Sequence, residues 1–199
     1  MKGMDSSMKI YLIRHGKTMA NEKHLYCGST DLPLSEQGIA ELQKIYYDIP
    51  KDCRFLTSGM LRTEQTLFYL YGDVPHRMDK RFREVDFGVF EMHSYEELKD
   101  REDYQEWILG INEIKVPPMG ESGLQMTTRV LAGLDDLLRE QADTVLITHG
   151  GVITAIMQNL FSTEFKNRYQ WQPAPGGGYV ITEEGYEILY NRRKGVMKP

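Results

Sequence analysis

The order of apolar and polar residues along the chain predicts strands that alternate with helices. Short runs of strand-forming residues occupy three segments, at 8–13, 54–58 and 144–148. Apolar residues at helical spacing occupy three others, at 34–49, 60–72 and 123–141, and a further helix follows the glycines at 150–151. Ser35 is the expected N-cap of the first of these helices, and Pro50 is expected to end it. This alternation predicts a three-layer α/β/α fold with a mostly parallel central sheet.

The remaining segments complete a single predicted domain, 8–199. The stretch 92–118 is mostly polar and helical, and we expect it to lie as a lid over one end of the core. The tail alternates apolar and polar residues around Glu184-Gly185, which predicts a terminal β-hairpin. Residues 1–7 are polar and contain no apolar run, so they are expected to form a flexible leader and not a signal peptide.

Length and composition limit the expected partners. A chain of 199 residues with 41% hydrophobic residues is long enough for one well-buried core. The 24 basic and 29 acidic residues give a net charge of −5, which argues against nucleic acid or an anionic membrane as a partner. No apolar run approaches the roughly 18–20 residues of a membrane span. Cys27 and Cys53 fit free thiols in a reducing compartment, so we expect a cytoplasmic protein.

The stretch YLIRHGKT, residues 11–18, fits two different phosphate chemistries. Its last three residues match the end of a P-loop, but that motif requires a glycine five residues before Gly16. Tyr11 occupies that position, so the P-loop interpretation fails. The alternative is that Arg14 and His15, at the end of the first predicted strand, contact a phosphoryl group.

Two further strand ends support this alternative. The strand at 144–148 also ends in His-Gly, and parallel strands bring their carboxyl ends to one edge of a sheet, so His15 and His149 are expected to meet. A neutral imidazole is a competent nucleophile near neutral pH. Arg62 falls in the first turn of a helix, where it could bind phosphoryl oxygens together with Arg14. Taken singly, each histidine could be a polar loop residue, and Arg62 could pair with Glu64.

Five segments stand in a fixed order along the chain: RHGKTMAN (14–21), YCGSTDLPLSEQG (26–38), TSGMLRTEQT (57–66), FREVDFGVFEM (82–92) and ITHGGV (147–152). In this order they resemble the histidine phosphatase (phosphoglycerate mutase-like) superfamily. The resemblance implies that superfamily's fold, and a phosphomonoesterase that works through a phosphohistidine. It also implies a small phosphorylated metabolite as the partner.

The resemblance also implies a role for each matching residue. His15 would be the nucleophile, and Arg14, Arg62 and His149 would bind the phosphoryl oxygens. Glu84 would protonate the leaving alcohol and then activate water; alternatively, it could pair with Arg81 or Arg83. Asn21 and the backbone of Gly150 would add substrate contacts. Because arginine and histidine supply the positive charge, no metal or cofactor is expected.

The lid region bears on the substrate. Between 88 and 122 Arg101 is the one arginine, and this scarcity of charge argues against a mutase, which must bind a carboxylate-bearing phosphate compound. The segments LYCG, PLSEQGI and FGVFEM resemble the α-ribazole phosphatases of cobalamin assembly, although Phe90 and Met92 stand where the wider family has tryptophan and glycine. Tyr104 and Trp107 of the lid would suit a flat base such as dimethylbenzimidazole.

Several alternatives stay open at this point. The two lid aromatics could simply pack the insertion onto the core. The enzyme could be a phosphoglycerate mutase or a broad-specificity sugar-phosphate phosphatase, or the chain could be a non-catalytic module that binds phospho-ligands. The sequence does not decide the oligomeric state, and a homodimer through the sheet edge is one alternative.

Overall fold

A mixed sheet forms the centre of the computed structural model, which describes residues 8–50, 52–110, 113–164, 167–189 and 192–193. The strands within these residues are β1 (Ile10–Arg14), β2 (Ile45–Tyr46), β3 (Arg54–Thr57), β4 (His76–Met78), β5 (Thr144–Thr148), β6 (Gly178–Thr182), β7 (Gly185–Leu189) and β8 (Arg192–Arg193). Six of them form the sheet in the order β4-β3-β5-β1-β6-β7, and β2 pairs with β8 separately. The first four are mutually parallel, while β6 and β7 form the predicted hairpin. The mostly parallel sheet is therefore confirmed.

Helices cover the sheet and build the insertion. Those within the described residues are α1 (Met19–Glu22), α2 (Glu36–Leu42), α3 (Leu61–Tyr71), α4 (Tyr95–Leu98), α5 (Glu102–Leu109), α6 (Gly123–Glu140) and α7 (Gly150–Leu160). The helices predicted from 60, 123 and 150 onward are confirmed as α3, α6 and α7. Gly72 follows the last residue of α3 with φ 80°, a left-handed conformation that glycine adopts without steric cost.

The first predicted helix is shorter than expected. The Ser35 side chain caps α2 as predicted, but the helix ends at Leu42 and does not continue to Pro50. The next residues form β2, whose partner β8 lies far along the chain. Tyr47 then turns into the core. β-Branched and aromatic side chains favour extended backbone, and the pairing with a distant strand decides between the two conformations here.

Alternation along β1 explains the three layers. Ile10 and Leu12 pack on one face of the sheet with apolar residues of α6 and α7. Tyr11 and Ile13 pack on the other face with residues of β3, β5 and α3. Because successive strand residues point to opposite faces, one strand contributes to two cores. Those cores lie on either side of the sheet, as an α/β/α sandwich requires.

The insertion at 92–118 contains α4 and α5 and has a small core of its own. Phe90 and Leu98 pack there with two lid aromatics, Tyr104 and Trp107. Met92 has φ 61° and donates its N–H to the Tyr26 carbonyl at 2.7 Å. Whether the segment closes as a lid stays a prediction, and the leader predicted at 1–7 lies outside the described residues.

No helix among the described residues is long and apolar enough to cross a lipid bilayer.

Candidate active site

The carboxyl ends of β1 and β5 place two histidines side by side. Arg14 pairs with Thr148 in register, so the next residue of each strand, His15 and His149, leaves the sheet at the same edge. The His15 N–H donates to the Thr148 carbonyl at 2.9 Å, and the two imidazole centroids lie 5.1 Å apart. The structure thus brings together the two His-Gly strand ends, as the sequence predicts.

His15 is held in one tautomer by its own backbone neighbour. Its Nδ1 lies 2.7 Å from the Gly16 carbonyl, which can only accept, so Nδ1 carries the hydrogen. Burial lowers the pKa of His15 well below its usual value, and the charges of Arg62 and Arg14 lower it further. The ring is therefore neutral, and its Nε2 lone pair is free to attack an electrophile.

Arg62 is a buried cation held by backbone carbonyls. Its side chain is 1% exposed, and its two terminal nitrogens donate to the Gly28 and Thr30 carbonyls at 2.7 and 2.9 Å. The alternative pairing with Glu64 is not observed, because that carboxylate contacts Thr57 and His76 instead. Carbonyls satisfy the N–H groups without neutralising the charge, so the guanidinium still attracts an anion.

Arg14 supplies a second positive charge at the same edge. One terminal nitrogen donates to the Pro173 carbonyl at 2.7 Å, while the buried Nε has no hydrogen-bond partner among the described residues. Burial lowers the pKa of this guanidinium, and the charge of Glu84 opposes that shift. Two guanidinium groups and two imidazoles thus surround one point, which is the arrangement that phosphoryl oxygens require.

Glu84 lies at the amino end of α7, beside this cluster. Its carboxylate accepts the Gly151 N–H at 2.9 Å and its neighbour Val85 N–H at 3.0 Å. A carboxylate at a helix N-terminus is favoured by the helix dipole and by the free N–H groups. The alternative pairing with Arg81 is not observed, since Arg81 binds Asp79 and Asp136.

His149 completes the cluster from the start of α7. The ring is fully buried, and its Nε2 lies 2.8 Å from the Ser58 hydroxyl at the end of β3. Its Nδ1 is buried and has no hydrogen-bond partner among the described residues. Burial lowers the pKa of His149 well below its usual value, and the charge of Arg62 lowers it further.

A cavity of about 260 Å³ opens beside Glu84, on the side of the lid. It lies between α5, α6 and the amino end of α7. Its aromatic and apolar walls come from six residues: Tyr26, Val85, Phe87, Trp107, Ile108 and Met126. Glu121, Thr154 and Gln172 add polar groups. Glu84 lines this cavity and also lies beside the cluster of arginines and histidines.

Comparison with known proteins assigns the chain to a family. The family model of the histidine phosphatase superfamily (branch 1) matches residues 10–192. The chain belongs to the histidine phosphatase superfamily. It is 31% identical over 192 residues to the adenosylcobalamin/alpha-ribazole phosphatase of Salmonella typhimurium, covering 92% of this chain and 94% of that one.

Two further relatives of this histidine phosphatase carry mutase names. It is 27% identical over 200 residues to the Yersinia pestis protein named "Probable phosphoglycerate mutase GpmB", covering 89% and 93% of the two chains. The crystal structure of phosphoglycerate mutase from Thermus thermophilus matches it with a TM-score of 0.71 at 29% identity, over 92% and 98% of the chains. Family and fold are thus shown, while the names divide between two activities.

In this histidine phosphatase the residues predicted to contact substrate lie in different surroundings, and only some of them line the cavity. Trp107 lines the cavity, but Tyr104 does not: its side chain is 0% exposed, and its hydroxyl is hydrogen-bonded to that of Tyr26 at 2.6 Å. Tyr104 therefore packs the insertion onto the core, the alternative that the sequence left open. Asn21 caps α1, its side-chain oxygen accepting the Thr18 N–H at 2.9 Å, and its contact with substrate stays a prediction.

Gly150 packs against the side chain of Gln172 at the start of α7, and a larger residue here would require that flexible side chain to move. A Cβ atom at this position would lie 2.4 Å from Nε2 of Gln172, a wall residue of the cavity. Its N–H belongs to the first turn of the helix, where backbone donors have no intrahelical acceptor. The backbone of Gly150 is thus placed beside His149, and its contact with a phosphoryl oxygen stays a prediction.

Sequence reasoning missed two residues that hold the catalytic groups in place. The Glu91 carboxylate accepts four backbone N–H groups, from Gly28, Ser29, Thr30 and Phe87. It thereby fixes the loop whose carbonyls hold Arg62. Arg129 of α6 donates to three carbonyls, from Arg81, Arg83 and Glu84. The position of Glu91 inside the FGVFEM segment was the one available signal; nothing local marked Arg129.

Within the described residues, no group of three or more His, Cys, Asp or Glu side chains is placed to hold a metal ion. Arg14 and Arg62 are the cations beside His15, and Arg129 adds a more distant positive charge on the side of His149.

Proposed function

We propose that the protein is a phosphomonoesterase that transfers the phosphoryl group of its substrate first to His15 and then to water. The observation that carries this proposal is the hydrogen bond from Nδ1 of His15 to the Gly16 carbonyl. It leaves Nε2 as a lone-pair nucleophile beside two buried guanidinium groups. The cluster supplies a nucleophile, cations and a carboxyl group without further components.

The first half-reaction forms a phosphohistidine. Glu84 first takes up a proton from solvent. Nε2 of His15 then attacks phosphorus, the bond to the ester oxygen breaks, and Glu84 gives this proton to the departing alkoxide. Arg14 and Arg62 stabilise the charge on the three phosphoryl oxygens during transfer. The cluster is fixed before substrate arrives, so little reorganisation opposes the step.

The second half-reaction releases phosphate. Glu84, now ionised, takes a proton from a water molecule as that water attacks phosphorus. The bond to Nε2 of His15 breaks, and the imidazole returns to its neutral form because Nδ1 keeps its hydrogen. Glu84 ends protonated, ready for the next ester, so one carboxyl group acts as acid and then as base.

We further propose α-ribazole 5′-phosphate as the substrate. The cavity beside Glu84 has aromatic walls, including Trp107, that suit a flat bicyclic base. Arg101, the one arginine between 88 and 122, is bound to the Asp103 carboxylate at 2.7 Å and lies over the Phe90 ring. It is therefore not free to bind the carboxylate of a phosphoglycerate, which counts against a mutase.

A panel of phosphate esters tests both levels of the proposal. Phosphate release is measured from α-ribazole 5′-phosphate, several sugar phosphates and 3-phosphoglycerate, with and without EDTA. We expect the highest kcat/KM for α-ribazole 5′-phosphate, no effect of chelator, and background turnover in His15→Ala. Full activity in that variant would refute the mechanism. Uniform weak hydrolysis would indicate a broad phosphatase, 2-phosphoglycerate formation a mutase, and phosphate binding without hydrolysis a binding module.

A further inference from the structure

A chain of buried hydrogen bonds leads from His149 into the first turn of α3. Nε2 of His149 lies 2.8 Å from the Ser58 hydroxyl, which lies 3.1 Å from the Thr63 hydroxyl. The Thr63 hydroxyl in turn lies 2.7 Å from the Met60 carbonyl. The three side chains are all fully buried, so water does not compete for these contacts.

The direction of every hydrogen in this chain follows from its last member. A carbonyl only accepts, so the one hydroxyl hydrogen of Thr63 points to Met60. The Thr63 oxygen must then accept from Ser58, whose one hydroxyl hydrogen is used in turn. Nε2 of His149 is left to donate to the Ser58 oxygen. The Met60 N–H also points to that oxygen, at 3.4 Å, in agreement with its role as an acceptor.

His149 therefore presents a lone pair at Nδ1 when its ring is neutral. The charged groups that face the ring are Arg14 from β1, Arg62 from α3 and Arg129 from α6, with the His15 ring beside it. Glu84 approaches from the segment before the lid, through the neighbouring Gly151 N–H. The cations and burial keep the free ring neutral by lowering its pKa. Phosphoryl oxygens of a dianion can only accept, so a bare Nδ1 and such an oxygen repel.

We propose that binding of a phosphoryl dianion is coupled to the uptake of one proton at Nδ1 of His149, and that Ser58 and Thr63 impose this coupling. The proton comes from solvent, forms an N–H bond at Nδ1, and makes a charge-assisted hydrogen bond to a phosphoryl oxygen. It returns to solvent when phosphate leaves. Ser58 and Thr63 act as positioning residues, because they fix which ring nitrogen meets the ligand. The inference deepens the proposed function and rests on its assignment of His149 to the phosphoryl group.

Calorimetry with methylphosphonate measures the coupling without turnover, because its dianion has three acceptor oxygens, no hydroxyl group and no ester bond. Titrations run in two buffers of different ionisation enthalpy, at a pH where the free phosphonate is dianionic, give the number of protons taken up. Glu84→Gln is the background, so that the general acid cannot contribute. We expect close to one proton per site, and a tenfold loss of affinity for each unit by which the pH is raised within this range. Methylphosphonate binding without proton uptake would overturn the inference.

Two substitutions at one position assign the coupling to the hydrogen-bond chain. In Thr63→Val the Ser58 hydroxyl loses its acceptor, so it turns to donate to Nε2 of His149 and Nδ1 gains the hydrogen. Proton uptake should then fall towards zero, whereas Thr63→Ser keeps the hydroxyl and should behave as the parent. Equal uptake in both variants would refute the role of the chain.

Nitrogen NMR of the imidazole rings provides a test that needs no substitution. The free protein should show His149 as the tautomer with hydrogen on Nε2, and the methylphosphonate dianion should convert it to the doubly protonated form. A free ring with hydrogen on Nδ1 would overturn the inference even if Thr63→Val does not fold. Proton uptake without hydrolysis of any ester would refute the proposed function alone, and hydrolysis without uptake would refute this inference alone.

Discussion

The Glu91 carboxylate fixes the loop at 28–30, whose carbonyls bind Arg62. Replacing Glu91 should therefore lower catalytic activity indirectly, through Arg62. In Glu91→Gln, an amide oxygen in place of Oε1 still accepts hydrogen bonds from the N–H groups of Gly28, Ser29 and Phe87. The amide NH₂ takes the place of Oε2, which in the parent accepts the Thr30 N–H at 3.2 Å. The two N–H donors then face each other, and this hydrogen bond is lost. Hydrogen bonds to a charged group contribute about 1.5–3 kcal/mol each, so we expect a loss of about 2 kcal/mol in the free energy of unfolding.

That loss translates into two measurements. For a chain of this size it lowers Tm by about 4–8 °C in a thermal melt. Because the Thr30 carbonyl receives one nitrogen of Arg62, a displaced loop also misplaces the guanidinium, and kcat/KM should fall by at least about tenfold. Inorganic phosphate should bind correspondingly more weakly in calorimetry, since the free ligand uses the same cation.

Glu97→Gln is the matched control. Glu97 also accepts a backbone N–H, from Ser94 at 2.7 Å, but it caps an exposed helix of the insertion. The kinetic constants of the Glu97→Gln variant should stay at the wild-type level. If Glu91→Gln lowers Tm as expected while kcat/KM and phosphate affinity remain within about twofold of wild type, the loop does not position Arg62 and the reasoning fails.

Three further outcomes are expected. Trp107→Leu should raise KM for α-ribazole 5′-phosphate about tenfold and leave inhibition by inorganic phosphate unchanged, because the ring lines the leaving-group cavity and packs in the core of the insertion, away from His15; equal effects on both would contradict this. Arg129→Met removes three hydrogen bonds to the segment bearing Glu84 and should lower kcat at least about tenfold, as steady-state kinetics can show; an unchanged kcat would contradict this. His15 and His149 have lowered pKa values in the folded protein, so as the pH falls these histidines take up protons in the unfolded chain before they do in the folded one. The free energy of unfolding should therefore be highest above pH about 6.5 and fall as the pH drops below it. Melts from pH 7.5 to 5.5 check the sign, and a smaller fall is expected in His149→Asn.

The arrangement of strand ends could be predicted because it depends on local pattern and one rule of sheet topology. His15 and His149 each follow an apolar run directly, and parallel pairing brings such positions together. Arg62 was placed by its position in the first turn of a predicted helix, and Glu84 by the family resemblance; the structure brings both to this cluster. Their catalytic roles remain predictions that the substitutions above test.

The parts that escaped prediction depend on contacts between segments far apart in sequence. Glu91 reaches back 63 residues to Gly28, and Arg129 reaches 45 residues to the Glu84 carbonyl. Neither contact produces a recognisable pattern in the sequence, because every residue type other than proline offers the same backbone N–H and C=O groups. The end of α2 could not be predicted for the same reason, because the residues after it form β2 by pairing with β8, far along the chain. Tyr104 escaped because an aromatic side chain on a helix has the same pattern whether it faces a ligand or a core.

The loop at 28–30 shows which of its positions can vary without loss of the site. It binds Arg62 through carbonyl oxygens and Glu91 through N–H groups, all of which belong to the main chain. Gly28 is fixed, because a Cβ there would lie 1.6 Å from the Val85 carbonyl oxygen. The side chains of Ser29 and Thr30 carry none of these contacts. The identity of these two residues can therefore change between related proteins while the arrangement around Arg62 is inherited intact.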